Sequence, residues 1–175
     1  MKIQLYKDDK LVDISLLSPG DHDIEVIAHA LSNICRFNGH CEHFYSVAEH
    51  CVLGTQWLMT HYPEPLIDNP LEFLLHDAAE IYIGDIPTPL KILCREIMDL
   101  EDRILQSIYQ QFDVLTYQPS LIKTIDRRML ECEHRELFVD HKCWSTGLKP
   151  LDVDIKCWKP TDAENQFLEL FHRLY

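Results

Sequence analysis

His76, Asp77, Glu80 and Asp85 sit inside FLLHDAAEIYIGDIPTPLK, residues 73–91, a run otherwise apolar enough for a buried helix. Burying such ionisable groups is costly unless something compensates them. Their spacing suggests what does. His76 and Glu80 are four residues apart and Asp77 and Glu80 three apart, so on a helix they share one side. His76 and Asp77, adjacent and about 100° apart around the axis, could offer one nitrogen and one oxygen to a single ion. A mixed nitrogen and oxygen set suits Mn, Co, Ni, Fe or Zn better than Ca. Two ligands are too few, so the chain must supply others.

Two distant residues are candidates. His50 lies in YSVAEH, where Val47 and Leu53 would direct it inward. Asp126 lies in LIKTIDRRML among the helix-face residues Ile122, Ile125 and Leu130. Each also has a plainer reading. A single inward histidine is more often a hydrogen-bonded core residue, and Asp126 beside Arg127 and Arg128 reads equally as a surface ion pair. The combination is more specific than its parts.

H…HD…D, with each element on a separate helix of an all-α chain, resembles the HD-domain metal-dependent phosphohydrolases. The likeness is strongest to their small nucleotidase branch, the bacterial 5′-deoxyribonucleotidases and the small phage dATP triphosphohydrolases. The motif of that branch reads H-D-x-x-E-x-x-x-G-D-x-P-T-P-x-K, and this chain has HDAAEIYIGDIPTPLK from His76 to Lys91. VAEH at 47–50 and Arg36-Phe37 are also similar, so the resemblance covers roughly residues 30–135. It implies an HD-domain helical bundle and His50, His76, Asp77 and Asp126 as ligands of one divalent transition metal ion (Co, Mn, Zn or Ni, with Mg an option). Binuclear relatives carry extra histidines between the HD pair and the last Asp. This chain has none from 78 to 125, which implies a single ion with open positions for water and substrate.

The resemblance also assigns the chemistry. Glu80 would stand beside the metal-bound water and Asp85 near the 5′ oxygen, a pair free to move protons. A solvated helix-edge Glu80 and a turn-capping Asp85 are the plainer alternatives. Arg36 would grip phosphate oxygens, Phe37 would exclude a 2′-hydroxyl, and Lys91 would add positive charge. As ordinary residues, Phe37 would be core and Lys91 surface. HCEH at 40–43 lies in a loop without a second pair and reads as pocket lining or local packing. Two products remain open: phosphate released from deoxynucleoside monophosphates, or triphosphate released from dATP. The short length and the RFNGH loop followed by YSVAEH resemble the phage enzymes and so favour dATP, with Lys91, Lys123, Arg127 and Arg128 as candidate partners for the outer phosphates. Arg127 and Arg128 could equally pair with Glu131 and Glu133. A non-catalytic metal- or nucleotide-binding sensor is the competing class, although it would not need Glu80 and Asp85.

These residues need elements to hold them. Residues 2–14 predict a short N-terminal β-hairpin around Lys7–Lys10. Helices are expected at about 21–33 (with Ile24, Ile27, Ala28 and Leu31 inward), from a Ser46/Glu49 capping box to Pro63, from Pro70 to Gly84, at 89–112 and at 119–141. A last helix should start at a Thr161/Glu164 capping box and turn Phe167, Leu168, Leu170, Phe171 and Leu174 inward. Residues 142–160 read as an ordered surface excursion. With 175 residues and no internal repeat or linker, one domain over 1–175 is expected. A net charge of −13 argues against a long nucleic-acid partner. Seven cysteines without a CxxC pair suggest reduced thiols, most of them in the core, in a cytoplasmic protein (the host cytoplasm for a phage gene product). No run of about 18 apolar residues suggests a membrane span. Small HD proteins self-associate, so a homo-oligomer is expected, with Trp144 and Trp158 as exposed contact aromatics.

Overall fold

A computed structural model describes residues 2–7, 11–62, 70–114, 118–139 and 145–175. A two-stranded antiparallel hairpin comes first, β1 (Lys2–Gln4) and β2 (Leu11–Asp13), with Ile3 opposite Val12. The rest is mainly helical. The helices are α1 (Ile24–Asn33), α2 (Val47–His61), α3 (Leu71–Leu75), α4 (Glu80–Ile83), α5 (Thr88–Leu93), α6 (Arg95–Gln111), α7 (Pro119–Leu137) and α8 (Pro160–Leu174). The tip of the hairpin turn, residues 8–10, lies outside the described residues.

α2 is the axle of the fold. It packs against α1, α3, α7 and α8, so apolar residues cover nearly its whole circumference. Two apolar clusters divide the interior. One is built on α1, α2, α3 and α8 around Ile27, Leu31, Leu74, Leu75 and Phe167. The other joins α2 to α7 through Leu53, Trp57, Phe73, Ile125 and Met129. In α8, Phe167, Leu170 and Phe171 are buried as expected, with Leu168 and Leu174 packed at the core's edge.

Several boundaries differ from the sequence expectation. α1 starts at Ile24 and not at residue 21, because Asp23 takes the cap position and accepts the Glu25 N–H. The helix expected from Pro70 to Gly84 breaks between α3 and α4. There the bonding shifts to i→i−3, with Ala78 N–H to Leu75 C=O at 2.9 Å and Glu80 N–H to Asp77 C=O at 3.0 Å. The long helix expected at 89–112 divides at Cys94, whose extended backbone (φ −126°, ψ 79°) cannot continue a helix. α7 ends at Leu137, short of 141. The Thr161/Glu164 capping box does not form: Pro160 opens α8 without a side-chain cap, and Glu164 pairs with His29 at 3.0 Å.

The Ser46 box forms only in part. Ser46 Oγ accepts the Glu49 N–H at 3.1 Å, but Glu49 does not reach back. Its buried carboxylate accepts the backbone N–H groups of Lys156, Cys157 and Trp158 at 2.9, 3.0 and 2.6 Å. The segment expected as a surface excursion is therefore pinned inward, with Leu151 buried and Val153, Ile155 and Trp158 packed on the second cluster. Trp158 is half-buried, not exposed, and Trp144 lies outside the described residues. Among the described cysteines Cys51 and Cys132 are buried, Cys35, Cys41 and Cys157 half-buried and Cys94 exposed, fewer in the core than expected. No described helix is long and apolar enough to cross a membrane.

Candidate metal centre

Three helical elements bring the four expected ligands together. His50 sits in the first turn of α2, fully buried; His76 and Asp77 occupy the tightened turn between α3 and α4; Asp126 projects from α7. His50 Nε2 lies 3.4 Å from His76 Nε2, 3.4 Å from Asp126 Oδ1 and 3.7 Å from Asp77 Oδ2, and His76 Nε2 lies 3.2 Å from Asp77 Oδ1. Donors each about 2.1 Å from one ion stand about 3.0–3.4 Å apart; the ligand atoms of His50, His76 and Asp126 lie within 4.8 Å of one another and could hold a cation, with Asp77 beside His76.

The imidazoles are oriented for such an ion. His76 Nδ1 is 2.6 Å from the Phe73 carbonyl, which can only accept, so Nδ1 carries a proton and Nε2 is turned inward. His50 Nδ1 donates to Glu133 Oε1 at 2.6 Å, with the same result. Two imidazole nitrogens and two carboxylates crowded together call for positive charge, supplied by a cation or by a proton on His50. Burial and the Arg36 charge oppose protonation of His50, but Glu133 and Asp126 outweigh them, so its imidazole is pushed up to about 9. Burial opposes ionisation of Asp126, yet His50, His76 and Arg36 hold it below the usual carboxylate range. The donor set could thus hold a metal ion. The Cys51 thiol, 4.0 Å from His76 Nδ1 and pushed well up by burial, forms a second possible metal cluster with His76 and Asp77.

The centre opens onto a cavity of about 450 Å³ lined by Arg36, Phe37, Asp77, Glu80, Asp85, Lys91 and Asp126, a size ordinary for small-molecule sites. Glu80 is buried, its Oε2 has no hydrogen-bond partner, and its Oε1 is 3.7 Å from Lys91 Nζ. Burial first, then the charges of Asp77 and Asp85, push the Glu80 carboxyl well up. Asp85 is also raised, chiefly by burial. Lys91 is held by Glu101 at 2.6 Å.

Arg36 and Phe37 occupy a short 3₁₀ turn whose neck is closed by Arg36 N–H to the Tyr45 carbonyl at 2.9 Å. Phe37 and Asn38 both adopt left-handed backbone (φ 57° and 51°), a strained state for a bulky residue, of the kind found at ligand clamps. The Phe37 ring meets Phe138 edge to face at 5.1 Å, completing one wall. Arg36 is less free than expected. Its guanidinium is buried, 3.2 Å from Glu133 and 3.5 Å from Asp77, with Nε unpartnered.

The other expected phosphate partners stand elsewhere. Lys123 and Arg127 are exposed and do not line the cavity, while Arg128 stacks over Trp57 at 4.7 Å and donates to the Lys149 carbonyl. Glu131 and Glu133 do not pair with Arg127 and Arg128: Glu131 accepts from Ser145 and Gly147, and Glu133 faces the metal centre. His40 and His43 of HCEH are exposed and do not line this cavity. Sequence reasoning missed Glu133 and the far wall of Leu130, His134 and Phe138. The signal for Glu133 was its distance of seven residues from Asp126, two helical turns along one face.

No protein-family model matches the chain. It is similar to the uncharacterized protein YfdR of Escherichia coli K12, 39% identical over 162 residues that cover 90% of this chain and 87% of that protein. An uncharacterized protein of Rhodobacter capsulatus is 35% identical over 115 residues, 63% of this chain and 59% of that protein. A match of that identity across nearly the full length of both chains places this protein in the same family as YfdR.

Proposed function

We propose that the protein is a metal-dependent phosphohydrolase that cleaves the 5′ O–P bond of deoxynucleotides, with dATP the favoured substrate and deoxyadenosine and triphosphate the products. One observation carries this reading: a cluster of His50, His76 and Asp126 that could hold a metal ion, with Asp77 beside it, opens onto a cavity that also holds Glu80 and Asp85, two carboxyls that burial pushes up. The HD-domain resemblance of residues 76–91 supports the same assignment.

A divalent ion held by His50, His76, Asp77 and Asp126 would lower the pKa of bound water and offset charge on the reacting phosphoryl group. The chain's own residues do the rest. Glu80 Oε2, buried and unpartnered, is placed to orient the attacking water, and it can receive the water's proton once a bound cation lets the carboxyl ionise. Asp85 gives its proton to the leaving 5′ oxygen. Arg36 and Lys91 set positive charge on the cavity wall, and the Phe37 ring fills the space a 2′-hydroxyl would need.

One observation favours a second reading. Of the cations named for the outer phosphates, Lys123, Arg127 and Arg128 are absent from the cavity wall, which suits a monophosphate and hence a 5′-deoxyribonucleotidase. A panel of dNTPs and dNMPs with Mn, Co, Zn and Mg, followed by chromatography of products, tests both. Triphosphate from dATP supports the first reading, and orthophosphate from dNMPs alone supports the second. Metal uptake with no turnover of any nucleotide, unaltered in Glu80→Ala, would mark a sensor.

A further inference from the structure

Glu133 has no exposed surface, yet it is charged and lies on no catalytic list that spacing alone would produce. Its two oxygens have separate tasks. Oε1 accepts the His50 Nδ1 proton at 2.6 Å, and Oε2 faces Arg36 NH2 at 3.2 Å. Arg36 in turn reaches Asp77 Oδ2 through NH1 at 3.5 Å. A closed chain therefore runs from His50 through Glu133 and Arg36 to Asp77, joining two metal donors that belong to different helical elements. A buried carboxylate carries a large desolvation cost, and a fully buried ion pair is weak evidence for stability. An apolar pair would fill this space as well if packing were the only requirement.

We propose that Glu133 is a positioning residue that aims His50 Nε2 at the metal and, through Arg36, fixes the Asp77 carboxylate beside it. The inference rests on the metal-dependent reading above. It extends that reading by making the cavity's buried arginine part of the support of the metal centre as well as a wall of the ligand pocket. With Glu133 in place, His50 cannot flip its ring without leaving a buried carboxylate oxygen and a buried N–H unpaired. With Glu133→Gln the amide can still accept from His50, but its NH₂ then faces the Arg36 guanidinium, donor against donor. The chain is broken at that point while the shape of the core is kept.

Co²⁺ titration of the full chain, followed by its visible d–d absorption and by calorimetry, tests this. Glu133→Gln is expected to bind Co²⁺ about 10–100-fold more weakly than wild type and to shift the d–d bands, with unchanged helical circular dichroism. Equal affinity and an unchanged spectrum would overturn the inference while leaving the metal reading intact. Failure of the wild-type chain to take up Co²⁺ would overturn the metal reading and this inference with it. A second measurement needs no variant. In the Zn²⁺-loaded wild type, ¹⁵N-detected histidine spectra should show His50 as the Nδ1–H tautomer with a slowly exchanging proton, and an Nε2–H tautomer or rapid exchange would overturn the assignment.

Discussion

Gly54 stands one turn after His50 on α2, against the side chain of Phe73. A Cβ added there would lie 2.6 Å from Phe73 Cζ and closer still to Cε1, well inside the 3.5–4.0 Å at which carbon atoms attract. Phe73 cannot yield cheaply. It is fully buried, and its carbonyl receives the His76 Nδ1 proton, so displacing it displaces a metal donor. Overpacking of this kind costs about 1–3 kcal/mol, and a contact this short lies near the upper end. Alanine returns about 1 kcal/mol of helix propensity. Gly54→Ala should therefore destabilise the chain by about 2 kcal/mol, lowering Tm by about 4–8 °C for a protein of this size. Because the shift separates His76 from His50, Co²⁺ affinity should also fall about tenfold or more. Thermal unfolding of the apo chain and Co²⁺ titration read the two effects separately. A variant that gains about 1 kcal/mol, as an uncrowded helical glycine would, and binds Co²⁺ unchanged would refute the view that α2–α3 contact sets the donor spacing.

Glu80→Gln should lower turnover about 10²–10⁴-fold while Co²⁺ binding persists; loss of metal together with activity would make Glu80 a ligand. Phe37→Gly relieves a left-handed backbone and empties the space beside the sugar, so stability should hold while the preference for dATP over ATP narrows, and an unchanged ratio would remove Phe37 from that role. Saturating Co²⁺ at about 100 times its Kd should raise the stability of the wild-type chain by about 2.7 kcal/mol, and Asp126→Asn should lose most of that gain in the same melt. His22 is buried between Tyr82 and Ser107, and burial holds its imidazole below the ordinary 6.5. The unfolded chain then takes up the proton first, so the contribution of His22 is present above pH 6.5 and is lost as pH falls below it. Melting curves from pH 8 to 5 should show this loss in the wild type and a shallower one in His22→Gln.

His76 and Asp77 were legible as ionisable residues out of keeping with an apolar surrounding, whereas His50 and Asp126, each with a plainer reading, were joined to them only by the resemblance of the H…HD…D pattern. The helices that carry them were legible from periodicity. Breaks inside those helices were not. The turn at His76–Ala79 contains neither Gly nor Pro, so no strong local breaker marks the i→i−3 tightening there. Glu133 was hidden by its neighbours. Amid Arg127, Arg128, Glu131 and Arg135 it reads as one more surface charge, and only the rotation of α7 turns it inward. Glu164 misled for the opposite reason: the local cap was available, but Pro160 already opened α8 and His29 offered a partner from α1. Local signals failed where a long-range partner outbid a near one.

The Glu49 carboxylate next to His50 is filled by N–H groups 107 to 109 positions further along the chain. Synthesis thus delivers every metal donor well before it delivers Lys156, Cys157 and Trp158. Closing so long a loop is entropically costly and slow compared with helix formation. The first turn of α2 therefore acquires its final partners from the region made last, and ordering of the centre is tied to completion of the C-terminal part of the fold.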